Sequence, residues 1–233
     1  MNARPAPLTL VASETAVVVV DMQNDFAAEG GMFHRAGVDI RPIKAIVLAV
    51  ANVLHVARSS GVKVLYLKME FRPDLSDLGP ADSPNAIKHR LLGVGEPATS
   101  QDGAQGRVLV RDTWNTQIVP ELSPEADDII VSKQRFSGFH ATELDTILRT
   151  LRIKNLVFTG ATTSVCVEST LRDAAFRDYR CVLLSDCTAE PIGADLARSN
   201  HEATLLVTEL LFGWVSDSAS FVQAFQPASV LAR

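Results

Sequence analysis

The chain has few cysteines and no excess of positive charge, and each absence excludes a class of protein. Its 233 residues include three cysteines, Cys166, Cys181 and Cys187, which form neither a CxxC pair nor a metal-ligand spacing. This usage is typical of a reducing compartment, so we predict a cytoplasmic location. The formal net charge of −5 argues against an extended nucleic-acid surface.

A long uninterrupted apolar run is also absent. No run approaches the roughly 18 residues that cross a bilayer. The apolar run at residues 16–20 stops at Asp21 and lacks the features of a signal peptide. We therefore expect no membrane partner. The hydrophobic content of 47% is enough for a sizeable core, so we predict one domain over residues 1–233, with residues 1–13 as an N-terminal extension.

Strand and helix patterns alternate along most of the chain. β-rich runs predict strands at 16–22, 62–69, 128–133, 156–160 and 181–186, and helical spacing predicts helices at 39–59, at 141–152, after Cys166 and at about 193–208. This alternation is typical of βαβ units and predicts a parallel sheet covered by helices on both faces. Residues 70–127 are rich in Pro, Gly, Asp and Ser and are expected to form a long loop region on the substrate side.

Three chemically useful side chains fall at the carboxyl ends of predicted strands. Asp21 and Lys133 end the first and third strands, and Cys166 lies just past LVFTG. Because ligands of open α/β sheets bind outside these ends, an acid, an amine and a thiol would share one crevice if the strands are neighbours. Each residue also has an ordinary explanation: a cap at Asp21, a solvated strand end at Lys133 and core packing at Cys166.

Cys166 has the strongest case for chemistry because it lies where a strand passes into a helix, after GATTSV. The helix dipole favours the thiolate, and a nearby Lys133 ammonium would lower the thiol pKa further. Backbone N–H groups at the helix start can receive an oxyanion, and Asp21 can accept the thiol proton and return it to a leaving amine. We expect Cys181 in the core and Cys187 near the edge of the site.

Three segments resemble the signature segments of the isochorismatase-like cysteine hydrolases. They are VVVVDMQNDF, IIVSKQRFSGFHATELDTIL and TGATTSVCVESTLRDA, and the resemblance covers roughly residues 14 to 226. It implies an α/β fold, a Rossmann-like three-layer αβα sandwich around a six-stranded, mainly parallel sheet.

The same resemblance implies the site residues. Asp21, Lys133 and Cys166 would form a catalytic triad, Ala161–Thr162 would be a cis peptide, and the N–H groups of Thr162 and Cys166 would form the oxyanion hole. Metal-binding nicotinamidases of this superfamily carry an Asp-x-His where this chain reads LKMEFRPDLSD, so we expect no metal and no cofactor. Isochorismatases proper need no nucleophilic cysteine, which argues against that reaction.

Within the family, the sequence lies between two specificities. The resemblance to ureidoacrylate amidohydrolases is carried by SGFHATELDTILR, TTSVCVESTLRDA and FGWVSD. The resemblance to biuret-type ureide hydrolases is at least as good and is carried by FRPDLSDL and RLLGVGEPATSQDGAQGRVLVRDTWNTQIVPEL. We predict a cysteine amidohydrolase that cleaves a C–N bond of a small linear ureido or carbamoyl compound (ureidoacrylate, biuret or triuret type) through a thioester and releases ammonia. The alternatives are a nicotinamidase, an N-carbamoyl amino acid amidase and a non-catalytic binding protein.

A ureido pocket needs a few polar groups between flat apolar walls. The candidates are Asn24, Phe26, Glu70, Arg72, Asn85, Lys88, Trp114 and Phe139. Trp114 and Phe139 would sandwich the substrate plane, and Asn24 or Glu70 would bond its amines. Arg72, Lys88 or Arg90 would pair with a carboxylate or a second carbonyl. The alternatives are ordinary packing and solvated loop charges. We also predict a homo-oligomer, a dimer or tetramer, with LLFGWV (210–215) at an interface.

Overall fold

One six-stranded sheet organises residues 1–226, the part of the chain that the computed structural model describes. Residues 227–233 of the predicted domain lie outside the described residues. The strands are β1 Thr15–Val20, β2 Lys63–Met69, β3 Pro97–Thr99, β4 Gln105–Arg107, β5 Ile129–Lys133, β6 Asn155–Ala161, β7 Arg180–Ala189 and β8 Gly213–Ser216. The sheet order is β5-β2-β1-β6-β7-β8 with every pairing parallel, while β3 and β4 form a separate antiparallel pair. The predicted α/β fold is confirmed.

Helices lie between these strands. They are α1 Asn24–Ala27, α2 Met32–Arg35, α3 Arg41–Ala45, α4 Val47–Ser59, α5 Pro84–Leu91, α6 Leu144–Thr150, α7 Glu168–Ala175, α8 Asn200–Val207 and α9 Ser218–Phe225. Two π-helical turns, Thr163–Val167 and Thr208–Phe212, are continuous with α7 and α8, and 3-10 turns occur at Ala12–Glu14, Trp114–Thr116 and Pro120–Leu122.

β1 lies inside the sheet because its sequence suits burial on both faces. TAVVVV consists almost entirely of β-branched residues, and every side chain is buried. Val17 and Val19 enter the core on one face, whereas Val18 and Val20 enter the core on the other. Helices α3, α4 and α9 cover the first face, and α6 and α7 cover the second, which gives the three layers.

The predicted elements are present, but several bounds differ. The helix predicted at about 193–208 begins only at Asn200, because a capping box at Ser199 and Glu202 fixes its start there. The region before it contains Gly193 with a positive φ. The sequence patterns did not predict β8, whose four residues are too few for a periodic signal.

The segment 70–127 is more ordered than the expected loop. It contains α5, the β3–β4 pair and two 3-10 turns. Pro84 stands at the start of α5, and the Ser83 hydroxyl accepts from the Ala86 N–H at 3.2 Å as a cap. The predicted loop region therefore also contains short elements, which the sequence did not reveal because elements bounded by Pro and Gly leave no periodic pattern.

Residues 1–13 cover the outer edge of the sheet. The N–H and C=O groups of Arg4 bond to Val215 of β8 at 2.9 and 3.0 Å. The Ser216 hydroxyl donates to the carbonyl oxygen of Asn2 at 2.6 Å. This pairing closes an edge that would otherwise present free backbone groups.

The helical stretch Arg41–Ser59 is long and apolar enough to cross a membrane by length and composition alone. Its residues Ile43, Val50, Val53 and Ala57 are buried in the core. We therefore assign this stretch to the helix layer of the sheet, and the absence of a membrane partner stays a prediction.

β6 approaches β1 most closely at Gly160. Its φ is +106°, and a Cβ atom built there would lie 2.1 Å from the carbonyl oxygen of Val20. No side chain fits this space, so glycine is required where β6 passes the end of β1. This contact fixes the spacing between Asp21 and the turn that carries Cys166.

Gly160→Ala should therefore destabilise the protein by about 3–5 kcal/mol, because it adds backbone strain to a steric clash. Gly61→Ala is the matched control: its φ is also positive, +75°, but a Cβ there meets nothing within 4 Å. We expect the control to lose only about 1–2 kcal/mol. Urea unfolding measures both, and equal losses would contradict the close-contact argument.

Candidate active site

The carboxyl edge of the sheet brings the three predicted catalytic side chains together. The strand order reverses between the adjacent strands β1 and β6, and such a switch point opens a crevice. Asp21 directly follows β1, and Cys166 lies in the turn after β6. Lys133 ends β5, which β2 separates from β1, so its side chain crosses the end of β2 and places Nζ 3.7 Å from Sδ of Met69.

Asp21 and Lys133 form a buried ion pair. Oδ2 of Asp21 lies 2.7 Å from Nζ of Lys133, and the two side chains are 1% and 0% exposed. The contact is close but not aligned as a hydrogen bond, so neither carboxylate oxygen has an aligned donor among residues 1–226. Burial is the largest single effect on the pKa of Lys133 and lowers it, but the interactions with Asp21 and Cys166 together outweigh burial and raise this pKa. Lys133 is therefore a full cation.

Cys166 is buried in the π-helical turn that leads into α7. Its thiol lies within hydrogen-bonding range of both Asp21 and Lys133. The carbonyl oxygen of Cys166 accepts from Oγ1 of Thr170 at 2.7 Å, and this Oγ1 accepts from the Gly138 N–H at 3.0 Å. These two bonds tie the cysteine turn to the loop that follows Lys133.

The expected lowering of the Cys166 pKa is wrong for the free protein. Burial raises the pKa of the thiol, and the opposing effect of the Lys133 ammonium is smaller. The neighbouring Asp21 raises the pKa further. The resting side chain is thus a neutral thiol, and the adjacent Asp21 carboxylate is the group placed to take its proton.

The turn between β6 and α7 contains Thr162 and Cys166, whose N–H groups are predicted to form the oxyanion hole. Ala161–Thr162 is a cis peptide, as the resemblance implied. The N–H of Thr162 has no backbone acceptor among residues 1–226. A buried carboxylate holds the next residues: Glu190 accepts from the N–H and hydroxyl of Ser164 at 2.8 and 2.6 Å. Sequence reasoning missed this support, because Glu190 directly follows β7 and is 26 residues from Ser164 along the chain.

Trp114 and Phe139 lie on different faces of the sheet, and the predicted sandwich of a substrate between them stays a prediction. Trp114 lines a surface cavity together with Val47 of α4, on the first face of the sheet. Phe139 belongs to the core on the second face. Its ring lies 6.1 Å from that of Tyr179, and Arg177 stacks on it at 4.8 Å.

Asn24, Phe26 and Glu70 have structural partners. Nδ2 of Asn24 donates to the carbonyl oxygen of Trp114 at 2.8 Å, and the Phe26 ring packs edge-on against another ring in the core. The Glu70 carboxylate is buried and pairs with Lys68 at 3.0 Å and Arg111 at 3.1 Å. The ion pairs of Glu70 occupy the carboxylate that we expected to bind substrate amines, whereas the Asn24 bond uses the amide N–H and leaves its amide oxygen as an acceptor.

The cationic candidates lie on the surface of the 70–127 segment. Arg72, Lys88 and Arg90 are exposed. Asn85 uses Nδ2 to bond the carbonyl oxygen of Leu78 at 2.9 Å, which braces α5. The structure does not bring these four residues to the thiol, and their contact with substrate stays a prediction.

The two other cysteines are packed in the core. Cys181 is fully buried on the second face, as predicted. Cys187 is fully buried on the first face, opposite Cys166, so the expectation that it edges the site is wrong. It lies inside β7, which extends beyond the predicted strand end.

Two further polar residues near the triad escaped sequence reasoning. Gln23 is fully buried and links the ends of β1 and β2 through bonds to the N–H and C=O groups of Met69. His89 of α5 is buried beside the lysine and carries a pKa shift caused partly by Lys133. Within residues 1–226 no cluster of three or more His, Cys, Asp or Glu side chains is arranged to hold a metal.

Sequence and structure comparisons agree with this geometry. A family model described as the isochorismatase domain matches residues 15–220. The chain is 39% identical to the ureidoacrylate amidohydrolase RutB of Yersinia enterocolitica, over 100% of this chain and 98% of that protein. It is 41% identical to RutB of Agrobacterium fabrum, over 98% of this chain and 97% of that protein.

Solved structures of related hydrolases have a similar fold. A cysteine hydrolase from Pseudomonas syringae pv. phaseolicola superposes with a TM-score of 0.79 at 29% identity, covering 95% of this chain and 98% of that one. An N-carbamoylsarcosine amidase from Thermoplasma acidophilum superposes with a TM-score of 0.64 at 25% identity, covering 88% of this chain and 96% of that one.

Removing the lysine tests the electrostatics of the thiol. Lys133→Met should raise the Cys166 pKa further and slow its alkylation by iodoacetamide at pH 7 by at least about tenfold. Lys154→Met is the control, because Lys154 forms an exposed ion pair with Glu14. Mass spectrometry of the Cys166 peptide against pH gives both rates. An unchanged profile in Lys133→Met would remove this lysine from the thiol environment.

Proposed function

This chain belongs to the isochorismatase family, and on that premise we propose that it is a cysteine amidohydrolase acting on a small linear ureido compound. One observation carries the proposal: a buried Asp21–Lys133 pair stands beside the thiol of Cys166 at the switch point of the sheet. The family membership supports a hydrolase of non-peptide C–N bonds.

The first half of the reaction forms a thioester. Sγ of Cys166 attacks the substrate carbonyl carbon while Asp21 takes the thiol proton. The carbonyl oxygen becomes an oxyanion that accepts from the N–H groups of Thr162 and Cys166. The C–N bond then breaks, and Asp21 returns the proton to the departing nitrogen, which leaves as ammonia.

The second half hydrolyses the thioester. Asp21 takes a proton from water, the hydroxyl adds to the carbonyl carbon, and the C–S bond breaks as Asp21 reprotonates Sγ. Lys133 stays charged throughout and holds Asp21 beside the reacting sulfur. Each proton taken by Asp21 is returned, so the free enzyme is regenerated without a cofactor.

The relatives support a ureido substrate. The two RutB proteins are ureidoacrylate amidohydrolases by name, and they match almost the whole chain. An N-carbamoylsarcosine amidase shares the fold and also acts, by name, on a carbamoyl group attached to nitrogen. Ureidoacrylate is therefore our first substrate candidate, and biuret and triuret carry the same group.

Turnover in nucleophile variants tests the mechanism. Cys166→Ala should lower kcat/KM for ureidoacrylate by at least about 10⁴-fold, because no other group replaces the thiol. Cys181→Ala is the matched control and should keep most of the activity, since that thiol packs in the core away from the triad. Ammonia release measures turnover, and circular dichroism verifies the fold.

The same assay separates the substrate classes. The wild-type protein is assayed for kcat/KM on five substrates: ureidoacrylate, biuret, triuret, an N-carbamoyl amino acid and nicotinamide. Turnover of nicotinamide without turnover of any ureide would overturn the proposal. Wild-type rates in Cys166→Ala would overturn the mechanism. An activity that is lost on chelation and restored by zinc would indicate a metal-dependent reaction instead.

We also propose a homo-oligomer in the cytoplasm. The three cysteines are free thiols, which suits a reducing compartment. An apolar patch consists of Phe176, Leu206, Leu210, Leu211 and Phe212. Leu210 and Leu211 are 67% and 74% exposed in the monomer. Such a contiguous patch favours burial against a second subunit.

Leu211→Glu should shift the protein to a smaller species in size-exclusion chromatography with light scattering, because the new charge would be buried in the interface. Leu48→Glu is the control: Leu48 is 78% exposed but lies on α4, on the opposite face of the sheet. A wild-type monomer, or equal effects of both substitutions, would contradict this interface.

A further inference from the structure

His89 lies at the carboxyl edge of the sheet, between the chain segments that leave β2 and β5. Its ring meets that of Phe71 edge-on at 5.3 Å and stacks on that of Phe136 at 5.7 Å. Phe71 lies two residues beyond the end of β2, and Phe136 lies three residues beyond the end of β5 at Lys133. The two strand ends are joined there, since the Glu70 N–H donates to the carbonyl oxygen of Lys133 at 3.1 Å.

The two rings hold the imidazole beside the triad. His89 is only 4% exposed, and Lys133, Arg135 and Asp21 are near enough to affect its pKa. His89 and Ala86, one turn apart, form the buried face of α5, while the neighbours Lys88 and Arg90 face solvent. This placement separates His89 from an ordinary core histidine.

One hydrogen bond fixes the tautomer of His89. Nδ1 lies 2.8 Å from the carbonyl oxygen of Asn85, and a carbonyl oxygen only accepts. Nδ1 must therefore carry a proton. Burial lowers the pKa of His89, and Lys133 and Arg135 lower it further, so the ring is neutral near pH 7.

A neutral ring protonated on Nδ1 leaves a lone pair on Nε2. This atom has no hydrogen-bond partner among residues 1–226. Nε2 is not fully enclosed by protein, so an N–H group of a ligand can reach this lone pair and donate to it. Two cationic side chains near His89 already use their donors elsewhere. Lys133 donates to the carbonyl oxygen of Arg135, and Arg135 donates to the carbonyl oxygens of Gln134 and Asp77.

We infer that Nε2 of His89 accepts a hydrogen bond from the internal N–H of the ureido group, and so selects ureides over plain carboxamides. The inference rests on the proposed function, in which Asp21 serves the departing nitrogen. The other nitrogen of the ureido group, on the opposite side of the carbonyl, then needs an acceptor of its own. A neutral imidazole fits this role, because a cation in its place would repel the donor.

The test crosses an enzyme substitution with a substrate substitution. Biuret and malonamide differ only by NH against CH₂ next to the reacting carbonyl, and 3-ureidopropionate and glutaramate form a second such pair. His89→Phe keeps the aromatic stack and removes both ring nitrogens. We expect it to lower kcat/KM for the ureide at least about tenfold more than for the matching carboxamide.

Two further variants control the comparison. His89→Gln offers an amide oxygen near the position of Nε2 and should restore part of the preference for the ureide. His140→Phe removes an exposed histidine and should leave the ratio unchanged. If His89→Phe does not fold, His89→Asn replaces it, because the shorter amide can bond the Asn85 carbonyl but does not reach as far as Nε2.

The outcomes separate the two proposals. Equal losses on the ureide and the carboxamide would overturn the role of His89 and leave the amidohydrolase intact. No turnover of either substrate pair or of ureidoacrylate by wild-type protein would overturn the proposed function, and the role of His89 with it. Selective loss on the ureide in His89→Phe, with partial recovery in His89→Gln, is the result that the geometry predicts.

Discussion

The ion pair between Asp21 and Lys133 is the interaction on which the rest of the site depends. Both side chains are almost completely buried, and taking two charges out of water costs several kcal/mol per ion before their attraction offsets it. The fold must hold them at close range to recover that cost. The parallel registers of β1 with β2 and of β2 with β5 do so, since they set Leu67 beside Val20 and Met69 beside Lys133.

The sequence was sufficient for the features that repeat along the chain. Strands buried on both faces give unbroken β-branched runs such as TAVVVV, so β1 and the parallel sheet were predictable. Asp21, Lys133 and Cys166 were predictable because each stands at or just beyond the end of such a run. The resemblance to a known family added the cis peptide Ala161–Thr162, which no periodicity encodes.

Features that depend on which face a residue occupies were not predictable. Trp114 and Phe139 both follow strand ends or turns in the sequence, yet they pack against different faces of the sheet. The Cys166 pKa was misjudged because burial depends on every element packed around the thiol, whereas the sequence displayed only the nearby helix start and lysine. His89 gave no signal because the short elements of 70–127 lack a period, and only the rings of Phe71 and Phe136 reveal its orientation.

A raised thiol pKa is compatible with nucleophilic catalysis at this site because the total charge of Asp21, Lys133, Cys166 and the substrate is conserved. Before attack, the negative charge lies on Asp21 and the proton lies on Cys166. After attack, the proton lies on Asp21 and the negative charge lies on the substrate oxygen, close to the Thr162 N–H. Lys133 faces one negative charge in both states, so the reaction never leaves an uncompensated charge in the core. A thiolate formed without substrate would place two negative charges against one lysine, and burial opposes that state. The buried lysine therefore favours loss of the thiol proton only when Sγ of Cys166 is forming its bond to the substrate carbonyl carbon.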